Sequence, residues 1–349
     1  MSQPERDQPL VSIVIPTYER PDLLGDAVES VSKQTYDPIE LVIVDDGSTT
    51  HPETALDGAS HSRIGSVRVC CHDTNLGANV ARKTGISASS GEYVAFLDDD
   101  DYWQPRKIER QVRALERTAA DVGVAFTGQH WIDDTGTVTD VVRPETEGDF
   151  MTNLARGARF GPFSTVMVRS EVFERAGYPD DRFPCWQDRE WYFRIAEHYD
   201  FVSIPEPLTV RRFIGSERIS NRYEAKRDTA YPLLVEKHGD RVATLGRRAD
   251  RLFRGELSRG IGHDALLAGR YVESIRHLLR SLRYRPLAVR TYAHLFAAVG
   301  GPYTHRFART AKRTINRLRY RSSGNESDTD GATGERRPIE NRPPTESHR

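Results

Sequence analysis

Short apolar runs that end abruptly on polar groups set the pattern of the first hundred residues. Residues 10–15, Leu-Val-Ser-Ile-Val-Ile, are β-branched and almost continuously apolar, as a strand covered on both faces should be. Pro16 closes the run and a loop follows over 17–21. Pro21 suits the first turn of a helix carrying Leu23, Leu24, Ala27, Val28 and Val31 at helical spacing, a pattern that fails around Tyr36-Asp37-Pro38. A second strand over 39–44 stops on Asp45-Asp46-Gly47-Ser48, and a third over 67–71 leads into Asn75-Leu76-Gly77-Ala78-Asn79. A helix over 80–88 and Gly91 precede a fourth run, 93–97, which stops on Asp98-Asp99-Asp100-Asp101. Strand, loop, helix and strand in alternation predict βαβ units, a parallel sheet and right-handed connections.

The pattern is less regular further on. Pro105 opens a helix with Ile108, Val112, Ala114 and Leu115 inward, and 122–126 reads as a strand. Asp133-Asp134-Thr135-Gly136 reads as a hairpin tip, 150–158 as a helix and 164–168 as a strand. Ser170 is placed to cap a helix over 171–176. A helix over 188–198 starts on Asp188, where a carboxylate can take free N–H groups, and 201–204 with 207–213 read as edge strands.

Polar groups therefore gather at the carboxyl ends of the first strands, the edge where open α/β sheets bind ligands. Four adjacent carboxylates repel one another, and burial sharpens the repulsion. A hard divalent cation, Mg²⁺ or Mn²⁺, suits such oxygen ligands; a solvated acidic loop is the plainer alternative. No G-x-G-x-x-G or P-loop pattern follows the first strand, which argues against those nucleotide sites.

Composition adds an asymmetry. The 349 residues carry a net charge of −1, yet 241–321 holds 19 Lys and Arg against 4 Asp and Glu. Such segregation predicts two functional regions, the second facing an anionic surface. The expected layout is a disordered N-terminus over 1–9, an α/β domain over 10–238, a basic helical region over 239–321 and a disordered tail over 322–349. Within the basic region, 306–321 alternates cations with Phe307, Ala308, Ile315 and Leu318, which suits a helix lying on an anionic membrane. A helical lid packed on the first domain is the alternative. Three cysteines, Cys70, Cys71 and Cys185, make no disulfide framework and point to a reducing compartment. With no signal peptide over 1–9 and no apolar run of spanning length, the expected location is cytoplasmic, at the membrane face if the basic region binds there.

Five stretches together resemble the family 2 glycosyltransferases of the GT-A fold. They are 11–18 (VSIVIPTY), 44–48 (VDDGS), 75–82 (NLGANVAR), 91–101 (GEYVAFLDDDD) and Gln187-Asp188. The resemblance spans roughly 10–213 and implies an α/β GT-A fold, a mostly parallel sheet flanked by helices with a Rossmann-like nucleotide-binding half. It implies an inverting transferase moving a sugar from a nucleotide-diphosphate donor, foremost a UDP-sugar, to a saccharide or lipid-linked acceptor. Asp98 and Asp100 match the family's D-x-D metal ligands, with Asp100 foremost, and the cofactor is then Mn²⁺ or Mg²⁺. Pro16, Thr17, Tyr18 and Glu19 match the loop around base and ribose, Asp46 the base-reading carboxylate with Asp45 beside it. Asn75, Arg82, Asp98 and Asp99 complete the implied donor set, and Asp188 matches the general base.

Two departures stand out. Gln187 occupies a position where relatives often have Glu, and Phe213 one where many carry His; Arg211 or Arg212 could supply the basic group, although strand alternation puts only one of them inward. Two rival readings are a sugar nucleotidyltransferase, which would need a glycine-rich basic loop after the first strand, and a non-catalytic nucleotide-sugar-binding protein. Nucleic acid is not an expected partner, since no binding motif accompanies the charge.

Overall fold

A computed structural model of the chain describes residues 8–52, 64–144, 149–158, 160–212 and 223–304. Strand β1 (Val11–Thr17) lies between β2 (Ile39–Asp45) and β4 (Tyr93–Phe96), parallel to both, and every residue of the three is buried. β3 (Ser66–Cys71) adds a parallel, largely exposed edge beyond β2. The register sets Thr17 opposite Asp45 and Val14 opposite Phe96, so the polar ends of β1, β2 and β4 meet at one sheet edge.

The rest of the sheet is mixed. β8 (Val166–Arg169) runs antiparallel to β4, and β6 (Val122–Ile132) antiparallel to β8. β9 (Asp200–Arg212) runs parallel to β6, and β5 (Asp101–Trp103) closes the far side antiparallel to β9. β7 (Val138–Val142) pairs with β6 through the expected hairpin, whose Gly136 has a left-handed φ of 77°. Residues 201–212 are thus not edge strands. They form one continuous strand between two neighbours, and the three-residue β5 takes the edge. β6 runs well past 126, where the apolar run that marks a buried strand is interrupted by the buried polar residues Thr127 and Gln129. Ser170 makes no side-chain cap: helix α5 (Val172–Ala176) begins after Glu171.

Alternation along β1 feeds two cores. Ile13 and Ile15 face α1 (Pro21–Ser32) and α3 (Lys107–Glu116), through Leu24, Val28, Ile108 and Val112. Val14 faces α2 (Ala78–Ala88), which lies so close that a Cβ on Gly85 would sit 2.3 Å from Val14 Cγ1. The same core takes in α4 (Phe150–Arg156) and α6 (Gln187–Ile195) through Leu154, Trp191 and Phe193.

This second core does not stop at the sheet. Leu234 and Val242 of α7 (Tyr231–Thr244) and Phe253 and Leu257 of α8 (Arg247–Leu267) belong to it. The boundary expected at 238/239 falls inside α7, where buried His238 stacks on Phe193 at 5.0 Å. α9 (Tyr271–Tyr284) and α10 (Val289–Val299) pack on α8 around a small cluster of Leu266, Leu278, Ala297 and Ala298. The helix expected over 306–321, the tail over 322–349, Phe213 and residues 1–7 of the N-terminal segment lie outside the described residues.

Candidate active site

The carboxylate run is interleaved with three arginines. Arg82 of α2 places Nη2 2.6 Å from Asp98 Oδ1. Arg20, just before α1, donates to Asp99 Oδ1 at 3.0 Å and Asp100 Oδ2 at 3.3 Å. Arg211 of β9 lies 3.7 Å from Asp101 Oδ2, whereas its neighbour Arg212 points the other way, 2.6 Å from Asp26. Arg211 is therefore the inward member of that pair. The acids also differ in exposure. Asp99 and Asp101 are buried, while Asp98 and Asp100 keep about a quarter of their side-chain surface.

Asp99 works as a tie. It accepts from Thr17 Oγ1 at 3.0 Å as well as from Arg20, which joins the run to the end of β1. Burial pushes its pKa up to about 6. Asp101 starts β5 and accepts from Ser164 Oγ at 2.7 Å; burial pushes it up to about 8. Burial and the charge of Asp98 raise Asp100 too. Ligand oxygens of Asp98, Asp100 and Asp101 all lie within 4.8 Å of one another, a separation that one divalent cation can bridge.

The remaining donor-side residues fall on loops at the same edge. Tyr18 is exposed, and Pro16 is buried within β1 opposite Val44. Glu19 has a left-handed φ of 54° and accepts from Thr49 N–H at 2.9 Å. Asp45 is buried and accepts from Ser48 Oγ at 2.5 Å. Asp46, also buried, takes the N–H groups of Leu76 at 3.0 Å and Gly77 at 2.7 Å, with His72 Nδ1 at 2.7 Å. Its carboxylate thus fastens the 72–77 loop to β2. Asn75 sits exposed on that loop.

Asp188 is built differently. Trp186 before it adopts a left-handed φ of 59°, an uncommon conformation for a bulky residue, and this turn launches α6. Among the described residues the Asp188 carboxylate takes one hydrogen bond, from the adjacent Arg189 N–H at 2.7 Å. Burial raises its pKa; Arg211 and Arg82 oppose that shift, while Asp98 adds to it. The start of α6 and the acid run therefore lie within electrostatic reach of each other. Gln187 makes the link concrete: its Oε1 accepts from Arg82 Nη1 at 3.4 Å, and its Nε2 donates to Phe183 O at 3.0 Å.

A cavity of about 190 Å³ opens beside Asp188, lined among others by Gly157, Phe160, Trp186, Arg189 and Tyr192. Arg189 gives it a cation that makes no ion pair among the described residues and only one hydrogen bond, to Leu154 O at 3.2 Å. Behind the cavity, Gly157 (φ 76°) is pressed by Glu256 of α8, so closely that a Cβ there would fall 2.2 Å from Glu256 Cγ.

The structure thus brings together Thr17, Arg82, Asp98, Asp99 and Asp100, with Asp188 in reach. Sequence reasoning missed Arg20, Ser164, Asp101 as a strand residue, and Arg189. Arg20 and Arg189 each adjoin a residue that was singled out, Glu19 and Asp188, and a cation next to such an acid is the signal that could have found them. Ser164 carries no such mark.

The family model described as "Glycosyl transferase family 2" matches residues 12–177. The putative teichuronic acid biosynthesis glycosyltransferase TuaG of Bacillus subtilis is 31% identical over 229 residues, which cover 64% of this chain and 86% of TuaG. An uncharacterized glycosyltransferase of Rickettsia felis is 30% identical over 226 residues; these cover 62% of this chain but span only 36% of that relative's length. Among solved structures, S. aureus TarS 1-349 in complex with UDP superposes with a TM-score of 0.54 at 15% identity, covering 93% of this chain and 94% of that one. The mannosyltransferase PcManGT from Pyrobaculum calidifontis, in complex with GDP-Man and Mn²⁺, gives 0.54 at 17% identity, covering 93% and 89%. At such identities the likeness to these two structures is one of fold.

Proposed function

The chain belongs to glycosyl transferase family 2, and on that footing we propose that it moves a sugar, with inversion, from a nucleotide diphosphate to an acceptor hydroxyl. The acceptor is a saccharide or a lipid-linked saccharide. The observation that carries this reading is the pairing of two unlike carboxylate sites: a crowded run at the ends of β4 and β5, and a solitary Asp188 beside a cavity.

The acid cluster fits Mg²⁺ or Mn²⁺. Asp98 and Asp100 are the partly exposed members, and they with Asp101 have the oxygen donors and spacing such an ion needs. When bound, the ion supplies positive charge where the leaving diphosphate becomes more negative. The chain's own residues do the rest. Asp99, through Thr17 and Arg20, fixes the run against β1. Tyr18, Asp45 and Asn75 lie at the mouth for the base and ribose, on loops that Glu19 and Asp46 hold in place. Arg82 and Arg211 add cationic groups facing the diphosphate end of the site.

Asp188 accepts the proton of the acceptor hydroxyl as that oxygen attacks the anomeric carbon. Attack from the face opposite the diphosphate inverts the centre, so no protein nucleophile is required. Its raised pKa makes Asp188 a stronger base than an exposed aspartate. The neighbouring cavity receives the acceptor, with Arg189 on its wall.

A UDP-sugar is the proposed donor; similar folds hold UDP in TarS and GDP-Man with Mn²⁺ in PcManGT. Incubating the protein with a panel of nucleotide sugars, with and without Mn²⁺, tests the reading. Thermal stabilisation by one donor and release of its nucleoside diphosphate are expected only with the ion; a panel with neither response sinks it.

A further inference from the structure

One helix face is left over once the cores are filled. α10 packs inward through Thr291, Ala297 and Ala298. Its outward side carries Val289, Tyr292, Phe296 and Val299, exposed by 79%, 49%, 75% and 68%. At 100° per residue these four fall within an arc of about 80°, a continuous apolar stripe. Leu287 before it and Tyr303 after it, 90% and 86% exposed, lengthen the patch. Scattered apolar residues on a surface need no explanation, but a helical stripe of this kind marks an interaction surface.

The charge of the chain before and after the stripe selects the occupant. From 274 to 325 the chain has twelve Lys and Arg and no Asp or Glu. Arg276, Arg280, Arg283 and Arg290 are exposed and pair with no carboxylate among the described residues. A second copy of the chain seated on this face would bring these like charges together. An anionic lipid surface offers apolar depth for the stripe and negative charge for its flanks. With 11 residues, α10 is too short to span a bilayer, and no helix among the described residues is long and apolar enough to do so. We propose that the outward face of α10 docks in the interfacial layer of an anionic membrane, with Tyr292, Phe296 and Val299 inserted and the arginines of α9 and α10 at the headgroups. This goes beyond the transfer reaction and does not depend on it.

The test is sedimentation of the full-length protein with vesicles of phosphatidylcholine alone, or with about one-third phosphatidylglycerol. Binding is expected to the anionic vesicles only, and to weaken with salt. Phe296→Glu with Val299→Glu should lower that binding by about tenfold or more, with the melting temperature unchanged. Arg283→Gln with Arg290→Gln should lower it by about fivefold per charge removed. Three results would overturn the proposal: wild-type protein that ignores anionic vesicles, a glutamate variant that binds as tightly as wild type, or a wild-type dimer in solution that the glutamate substitutions turn into a monomer. None of these readouts involves sugar transfer, so the proposed reaction can fail while the docking face stands.

Discussion

The acid run and the start of α6 handle negative charge in opposite ways. At Asp98 to Asp101, four carboxylates are threaded with Arg20, Arg82 and Arg211. At Asp188 a half-buried carboxylate has one backbone N–H for company. Two positions along, Glu190 repeats the contrast in miniature. It is fully buried, and Arg194 at 2.8 Å, Lys237 at 2.7 Å and His238 at 3.4 Å surround it. Burial alone would raise its pKa, but the bonds from His238 and Arg194 hold it at about 2. Carboxylates whose surroundings push them apart are how one site assigns different tasks to chemically identical groups.

Substitutions can break this contrast. Asp188→Asn should lower kcat by ~10²–10⁴-fold while donor affinity, read by calorimetry, stays put. The same variant should melt higher than wild type near neutral pH, because a charge held above its ordinary pKa by burial costs the fold stability. The sign is definite: that cost grows as pH rises through the raised pKa and vanishes at low pH. The acid limb of the transfer rate should accordingly lie above the ordinary aspartate value of ~3.9. A rate that held constant down to that value would remove Asp188 as base.

Glu190→Gln should do the reverse, costing about 3 kcal/mol of stability by urea unfolding. The low end of the range applies because Lys237 keeps Asp180 and Arg194 keeps two carbonyls. Its lowered pKa adds stability above the ordinary glutamate value, lost as pH falls from there to about 2. Acid unfolding should therefore begin at higher pH in variants of its partners. Asp100→Asn should weaken Mn²⁺-dependent donor binding by about a hundredfold, and Asp98→Asn comparably. Asp99→Asn should lower the melting temperature more than it changes the Mn²⁺ response; equal losses of metal response would erase the distinction between open and closed acids. The smallest effect belongs to Gln187→Glu. A carboxylate there would draw Arg82 from Asp98 and lose the bond to Phe183 O, lowering kcat a few-fold, on the order of one hydrogen bond.

How much of this was legible in the chain differs by region for physical reasons. β1, β2 and β4 are buried on both faces and spell themselves out as unbroken apolar runs. β6 and β9 conceal their length and place, because polar Thr127, Gln129 and Thr209 are buried within them, the two threonines hydrogen-bonded to each other. The acid run was plain to see, and Arg82 with one of Arg211 and Arg212 was a candidate beside it; the pairing itself, and the part of Arg20, arise only through tertiary packing. Asp188 stood out as the base, with a helix cap as the plainer alternative. The cavity beside it was hidden from the sequence, because Leu154 and Gly157 reach Trp186, Arg189 and Tyr192 only through tertiary packing.

The seam between α8 and the sheet domain bears on how such enzymes diversify. Phe253 and Leu257 share a core with Trp191 and Phe193, and Glu256 backs Gly157, which lines the cavity proposed for the acceptor. A gene shortened to its nucleotide-binding half would leave that oily seam bare and should yield inclusion bodies. A chimaera that borrowed only the carboxy-terminal helices of a relative would inherit, with them, part of the relative's taste in acceptors.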